Sequence, residues 1–97
     1  MLTDMEFELT PRQIKMMKHA IGMNNLKGKP YNYNRKSEDG YEAYRNRYYS
    51  EKNRDWERLV ENGLATASPD SNGLTIYRIT EDGANVLSEI LDIKIIL

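Results

Sequence analysis

The run Trp56-Glu57-Arg58-Leu59-Val60-Glu61-Asn62-Gly63-Leu64, followed after a polar turn by Tyr77-Arg78-Ile79-Thr80-Glu81-Asp82-Gly83, decides how this chain folds. Trp56, Leu59 and Val60 recur at helical spacing, so the first part is a helix with one apolar face. Gly63 can take the left-handed conformation that ends it. Leu64 to Thr66 and Leu74 to Ile79 then read as two strands. They are joined by Ser68-Pro69-Asp70-Ser71-Asn72-Gly73, whose closing Asn-Gly pair is a strong turn signal. Thr80 precedes two acids and the apolar positions Ala84, Val86, Leu87, Ile90 and Leu91, the pattern of a capped amphipathic helix. Helix, ribbon and helix are therefore expected from Trp56 to Leu91.

Working outward, Thr10 with Gln13 three residues later, and Pro11 between them, is a capping box that opens another helix. Its stripe is Ile14, Met16, Met17, Ala20 and Ile21, and it should end near Gly22, Asn24 or Asn25. Asn24 to Gly40 contains Gly28 and Pro30 among Asn, Lys and Ser and reads as a long loop, of a length that tends to be functional or disordered. Tyr41, Tyr44 and Tyr48 recur at helical spacing, which predicts a short second helix with Arg45 and Arg47 off its buried face. Asn53 or Ser50 caps the helix that carries Trp56. At the ends, Met5, Phe7 and Leu9 alternate with acids as in a half-buried strand, and Ile93 to Leu97 is rich in β-branched residues. The tail is expected either to pair with Met5 to Leu9 or to present an edge to a second copy, which leaves a homodimer open. The sum is one α+β domain over residues 1–97, with three to four helices, a C-terminal β-hairpin and short terminal strands.

Composition removes whole classes of chemistry. The chain has 97 residues, no cysteine and one histidine, so disulfides, thiolate metal sites and cysteine nucleophiles are excluded. His19 alone builds no metal site, and Glu38-Asp39 and Glu81-Asp82 read as helix N-terminal acids. Gly22, Gly28 and Gly40 form no phosphate-cradling motif. No catalytic residue, metal or cofactor is indicated, and the chain is not expected to be an enzyme. The N-terminus lacks a basic region followed by an apolar run, and no apolar stretch reaches membrane-spanning length. A cytoplasmic protein with no membrane partner is expected.

Charge is segregated although the net charge is −1. Between Arg12 and Arg58 there are twelve Lys or Arg against six acids, whereas the rest of the chain has two bases and nine acids. A basic middle between acidic ends favours an anionic partner for the middle. Six of the seven tyrosines lie there too, between Tyr31 and Tyr49. Tyrosine interleaved with arginine can stack on bases and neutralise phosphates. Tyr41, Tyr44 and Tyr48 are better placed in a core by their spacing. Tyr31, Tyr33 and Tyr49 are the partner-surface candidates.

The segment from Trp56 to Leu91 resembles the second half of winged-helix regulators such as the multiple-antibiotic-resistance repressors. That likeness implies a recognition helix before the glycine, with its N-terminal turn nearest the base edges. Nucleic-acid contacts then fall to Lys52, Asn53, Arg54 and Arg58, joined by Arg45 and Arg47 and by Arg35 and Lys36 in the loop. Two features depart from the pattern. The helix also carries Asp55, Glu57 and Glu61, and the wing Ala67 to Thr75 has no Lys or Arg. A protein-interaction module that engages a host or phage protein without binding DNA is therefore the rival reading. Met17-Lys18-His19-Ala20-Ile21-Gly22, Tyr44-Arg45-Asn46-Arg47-Tyr48-Tyr49, Trp56, Leu59, Gly63-Leu64 and Tyr77-Arg78-Ile79-Thr80 with Gly83 together look like a family of small phage- and prophage-encoded proteins of Gram-positive bacteria. The likeness spans roughly Thr10 to Leu91, implies a host-cytoplasm setting and carries over no catalytic residues.

Overall fold

In the computed structural model, which describes residues 8–23, 36–37, 40–43 and 45–97, the capped helices stand where the sequence puts them. Helix α1 spans Pro11–Ala20. Thr10 Oγ1 accepts from the Gln13 N–H at 3.0 Å and Gln13 Oε1 accepts from the Thr10 N–H at 2.9 Å, so the capping box is complete. Met16, Met17, Ala20 and Ile21 are buried, and Gly22 takes φ 88° just past the helix end. Helix α2, Arg54–Glu61, is capped by Asn53, whose side chain accepts from the Trp56 N–H at 3.0 Å. Gly63, at φ 77°, turns the chain away as expected. Helix α3, Glu81–Leu91, starts on the Thr80 cap and ends on Asp92, which takes the left-handed conformation at φ 58°.

Two three-stranded sheets complete the α+β architecture. The first has the order β1 (Lys36–Ser37), β2 (Gly40–Glu42) and β6 (Lys94–Ile96), with β1–β2 antiparallel and β2–β6 parallel. The second has the order β3 (Tyr48–Ser50), β5 (Thr75–Ile79) and β4 (Ala65–Pro69), all antiparallel. Strands β4 and β5 are the expected hairpin. Its turn is held by Asp70, whose carboxylate accepts from the Asn72 N–H at 3.1 Å and whose N–H donates to the Leu74 carbonyl at 2.8 Å. Pro69 is tolerated because β4 is an edge strand.

The helix expected over Tyr41 to Tyr48 is not formed. Tyr41 lies on β2 opposite Ile95, and Tyr48 lies on β3 opposite Tyr77. Aromatic residues suit strands as well as helices, and here partners far along the chain override a helical spacing of three tyrosines. Tyr41 remains a core residue, 2% exposed, with its hydroxyl donating to the Ile21 carbonyl at 2.9 Å. The tail pairs with β2 in parallel. The strand expected at Met5 to Leu9 lies mostly outside the described residues, as do Tyr44 and all of the loop from Asn24 to Arg35.

The core joins the layers through Met17, Ile21, Trp56, Leu59, Leu64, Tyr77 and Leu87. Gly83 allows α3 to sit directly on the hairpin, since a β-carbon there would run into the Leu64 carbonyl oxygen and crowd Ile79. Gln13 is the one buried polar side chain among the described residues. It is satisfied by donating to the Asp55 carbonyl at 3.1 Å, which fixes α1 to α2.

Candidate functional site

The sequence candidates divide between two surfaces. Lys52, Asn53, Arg54 and Arg58 belong to α2 or its cap; Arg45, Arg47 and Tyr49 gather beside the C-terminal end of α1. Lys36 lies on β1, and Arg35, Tyr31 and Tyr33 fall outside the described residues.

The exposed side of α2 forms an open groove of about 430 Å³ with the start of α1, lined by Glu8, Arg54, Asp55, Glu57, Arg58 and Glu61 among others. Its charges oppose one another. Asp55 pairs with Arg12 at 3.3 Å. Glu57 accepts from the Tyr77 hydroxyl at 2.6 Å, and that oxygen in turn accepts from the Asn53 N–H at 3.0 Å. Burial first, and then the hydrogen bond to Glu57, push the Tyr77 phenol above its ordinary range and keep it a donor. Asn53, proposed to reach a base edge, spends its side-chain oxygen on the helix cap. A helix-turn-helix also needs a first helix across a turn of a few residues to hold its recognition helix on the backbone. Strand β3 stands at that place instead.

The second surface is built differently. His19, Arg45, Arg47, Tyr48 and Tyr49 line an open pocket of about 340 Å³, and none of them is acidic. The segment before β3 is held against α1 and β5 by hydrogen bonds from three successive residues. The Arg47 N–H donates to the Ala20 carbonyl at 3.0 Å, and Arg45 Nη2 donates to the His19 carbonyl at 2.7 Å. Asn46 both donates to the Ile79 carbonyl and accepts from the Ile79 N–H, each at 2.9 Å. Asn46 thus imitates one more backbone pair of the β3–β5 ladder and aims its neighbours. Arg45 lines the pocket and complements the carbonyl end of α1.

An aromatic series runs from this pocket into the core. The His19 ring meets Tyr48 edge-on at 5.3 Å, Tyr48 meets Trp56 at 5.3 Å, and Trp56 stacks on Tyr77 at 5.2 Å and 7°. Burial, and next the positive charge of Arg45, lower the His19 pKa, so its ring is neutral at pH 7. Tyr49 points the other way and is 51% exposed.

The strand register reveals a residue the sequence reading passed over. Tyr49 is opposite Ile76, and Ile76 is opposite Ser68; Thr66 is opposite Arg78. These positions share the outer face, because Tyr48, Tyr77 and Ile79 face the core. Arg78 is exposed there and reaches Ser68 Oγ at 3.4 Å. The signal was available: in Thr75–Ile79, period two sets Arg78 opposite Tyr77 and Ile79.

Among the described residues no helix is long and apolar enough to cross a membrane, and no group of three or more His, Asp or Glu could hold a metal ion. The chain matches no family model, no curated protein and no solved structure.

Proposed function

We propose that this protein binds nucleic acid, as a regulator built on a winged-helix-like scaffold, and that the main contact surface is the pocket beside α1 rather than α2. The observation that carries this reading is the convergence of Arg45 and Arg47 with Tyr48, Tyr49 and His19 around one open pocket, with no acid among its described lining residues. Two arginines beside an exposed aromatic surface suit a phosphodiester chain, whose charge dominates affinity and whose bases can stack. Helix α2, with the hairpin after it, would serve as a secondary contact through Lys52 and Arg54, both exposed. The phage or prophage setting implied by the sequence likeness accords with a small regulator.

The test is fluorescence anisotropy with labelled mixed-sequence oligonucleotides, single-stranded and duplex, titrated from low to physiological salt. Binding that weakens steeply with salt is expected, and Arg47→Gln should reduce the salt slope by about one. No binding at low salt to either probe would overturn the proposal.

The rival reading, a protein-interaction module, is favoured by one observation. Ile90 on α3 and Leu97 just after β6 are exposed, at 46% and 44%. Retention of a protein partner that Ile90→Lys abolishes, without any effect on nucleic-acid binding, would support it.

A further inference from the structure

We infer that the ligand is single-stranded nucleic acid, bound with phosphates at Arg45 and Arg47 and an unpaired base stacked on Tyr49 at the outer face of the β3–β5–β4 sheet. This rests on the nucleic-acid reading and names its substrate class.

Three observations carry it. First, Tyr49 is 51% exposed on an edge strand, and on the next strand its register neighbour is the half-buried Ile76. An open ring on a flat apolar footing is a stacking platform. In a duplex the bases already stack on one another and offer no free face, so the ring has value only to an unpaired base.

Second, cations stand together towards one end of that ring along the antiparallel strands. Arg47 lines the pocket with Tyr49, and Arg78 stands on the same outer face on β5, the strand next to β3, where it donates to Ser68 Oγ. Strands β3, β4 and β5 contain no acidic residue. A backbone crossing the sheet from Arg47 towards Arg78 therefore meets no carboxylate on those strands, while Glu51 just beyond β3 closes off the other direction.

Third, the surface a duplex would need is compromised. The α2 groove balances its arginines with Asp55, Glu57 and Glu61, and the hairpin turn from Asp70 to Leu74 has no basic residue to enter a minor groove. What remains is a short basic track with an aromatic landing.

The experiment compares a single-stranded DNA, a single-stranded RNA and a duplex of the same mixed sequence and length, by anisotropy at one low salt concentration. At least one single strand is expected to bind more tightly than the duplex. Tyr49→Ala should weaken that binding about tenfold, the effect of one lost stacked base, with no change in salt slope. Tyr49→Phe, which keeps the ring, should bind as the parent does, and the thermal melt of both variants reports that the fold is intact. Tighter binding to the duplex, or full affinity in Tyr49→Ala, would overturn this inference and leave the nucleic-acid reading standing. Absence of binding to all three probes would overturn both.

Discussion

The groove along α2 and the pocket beside α1 are made from the same materials, arginines and aromatic rings, yet they are chemically opposite. Along α2 each acid is close to a partner or a base: Asp55 to Arg12, Glu57 to the Tyr77 hydroxyl, and Glu61 to the rim it shares with Arg58. Beside α1 the backbone carbonyls of His19 and Ala20 do the anchoring, so no carboxylate is needed to hold Arg45 and the Arg47 backbone. The difference teaches that a neutral carbonyl can position an arginine side chain, whereas along α2 the arginines stand among carboxylates that offset their field.

The largest effect is expected where the two regions share a part. Trp56 is fully buried between Tyr48 and Tyr77, so Trp56→Ala should cost about 3–5 kcal/mol and abolish both surfaces, as read by a thermal melt. Gly83→Ala should cost about 1–3 kcal/mol through the clash with Leu64, measured by urea denaturation. Tyr77→Phe breaks the α2 side alone. It removes the donor to Glu57 and strands the Asn53 N–H, at a cost of about 1–3 kcal/mol, with binding to oligonucleotides kept.

Smaller differences sharpen the contrast. Arg54→Ala should weaken binding less than Arg47→Ala in the same anisotropy assay; a larger loss for Arg54 would return α2 to the role of principal contact. The smallest effect concerns His19, whose pKa is held below its ordinary 6.5 by burial and by Arg45. A base with a lowered pKa binds protons more readily when unfolded, so its contribution is complete above about pH 6.5 and is lost as pH falls through the folded value. Among the described residues, those lining the pocket with the ring are Arg45, Arg47, Tyr48 and Tyr49, with Lys18 on its own helix, and none of these is an acid that would reverse the sign. A slight fall in melting temperature below pH 6.5 is expected, and His19→Gln should flatten it.

Much of the fold was legible because its signals are local. Thr10 with Gln13, Asn53, Thr80 and Gly63 act within three or four residues, and each does what its type dictates. The segment around Tyr41 to Tyr48 was misread because tyrosine spacing fits two structures. Ile95 and Tyr77, more than twenty-five residues away along the chain, settle which one forms. Of the site, Arg45, Arg47 and Tyr49 were visible as types; Asn46 was not, since nothing beside it in sequence shows that its amide completes a strand ladder at Ile79.

By itself, then, the sequence determined the three capped helices, the hairpin, the absence of cysteine chemistry and the basic, tyrosine-rich middle, all properties of residue type and short-range spacing. Tertiary structure alone decided which basic residues gather beside α1 and which stand among the acids of α2, and that Tyr48 turns inward to Trp56 while Tyr49 turns out. The physical reason is that charge balance and exposure depend on what packs alongside, and strand pairing brings those neighbours from distant parts of the chain.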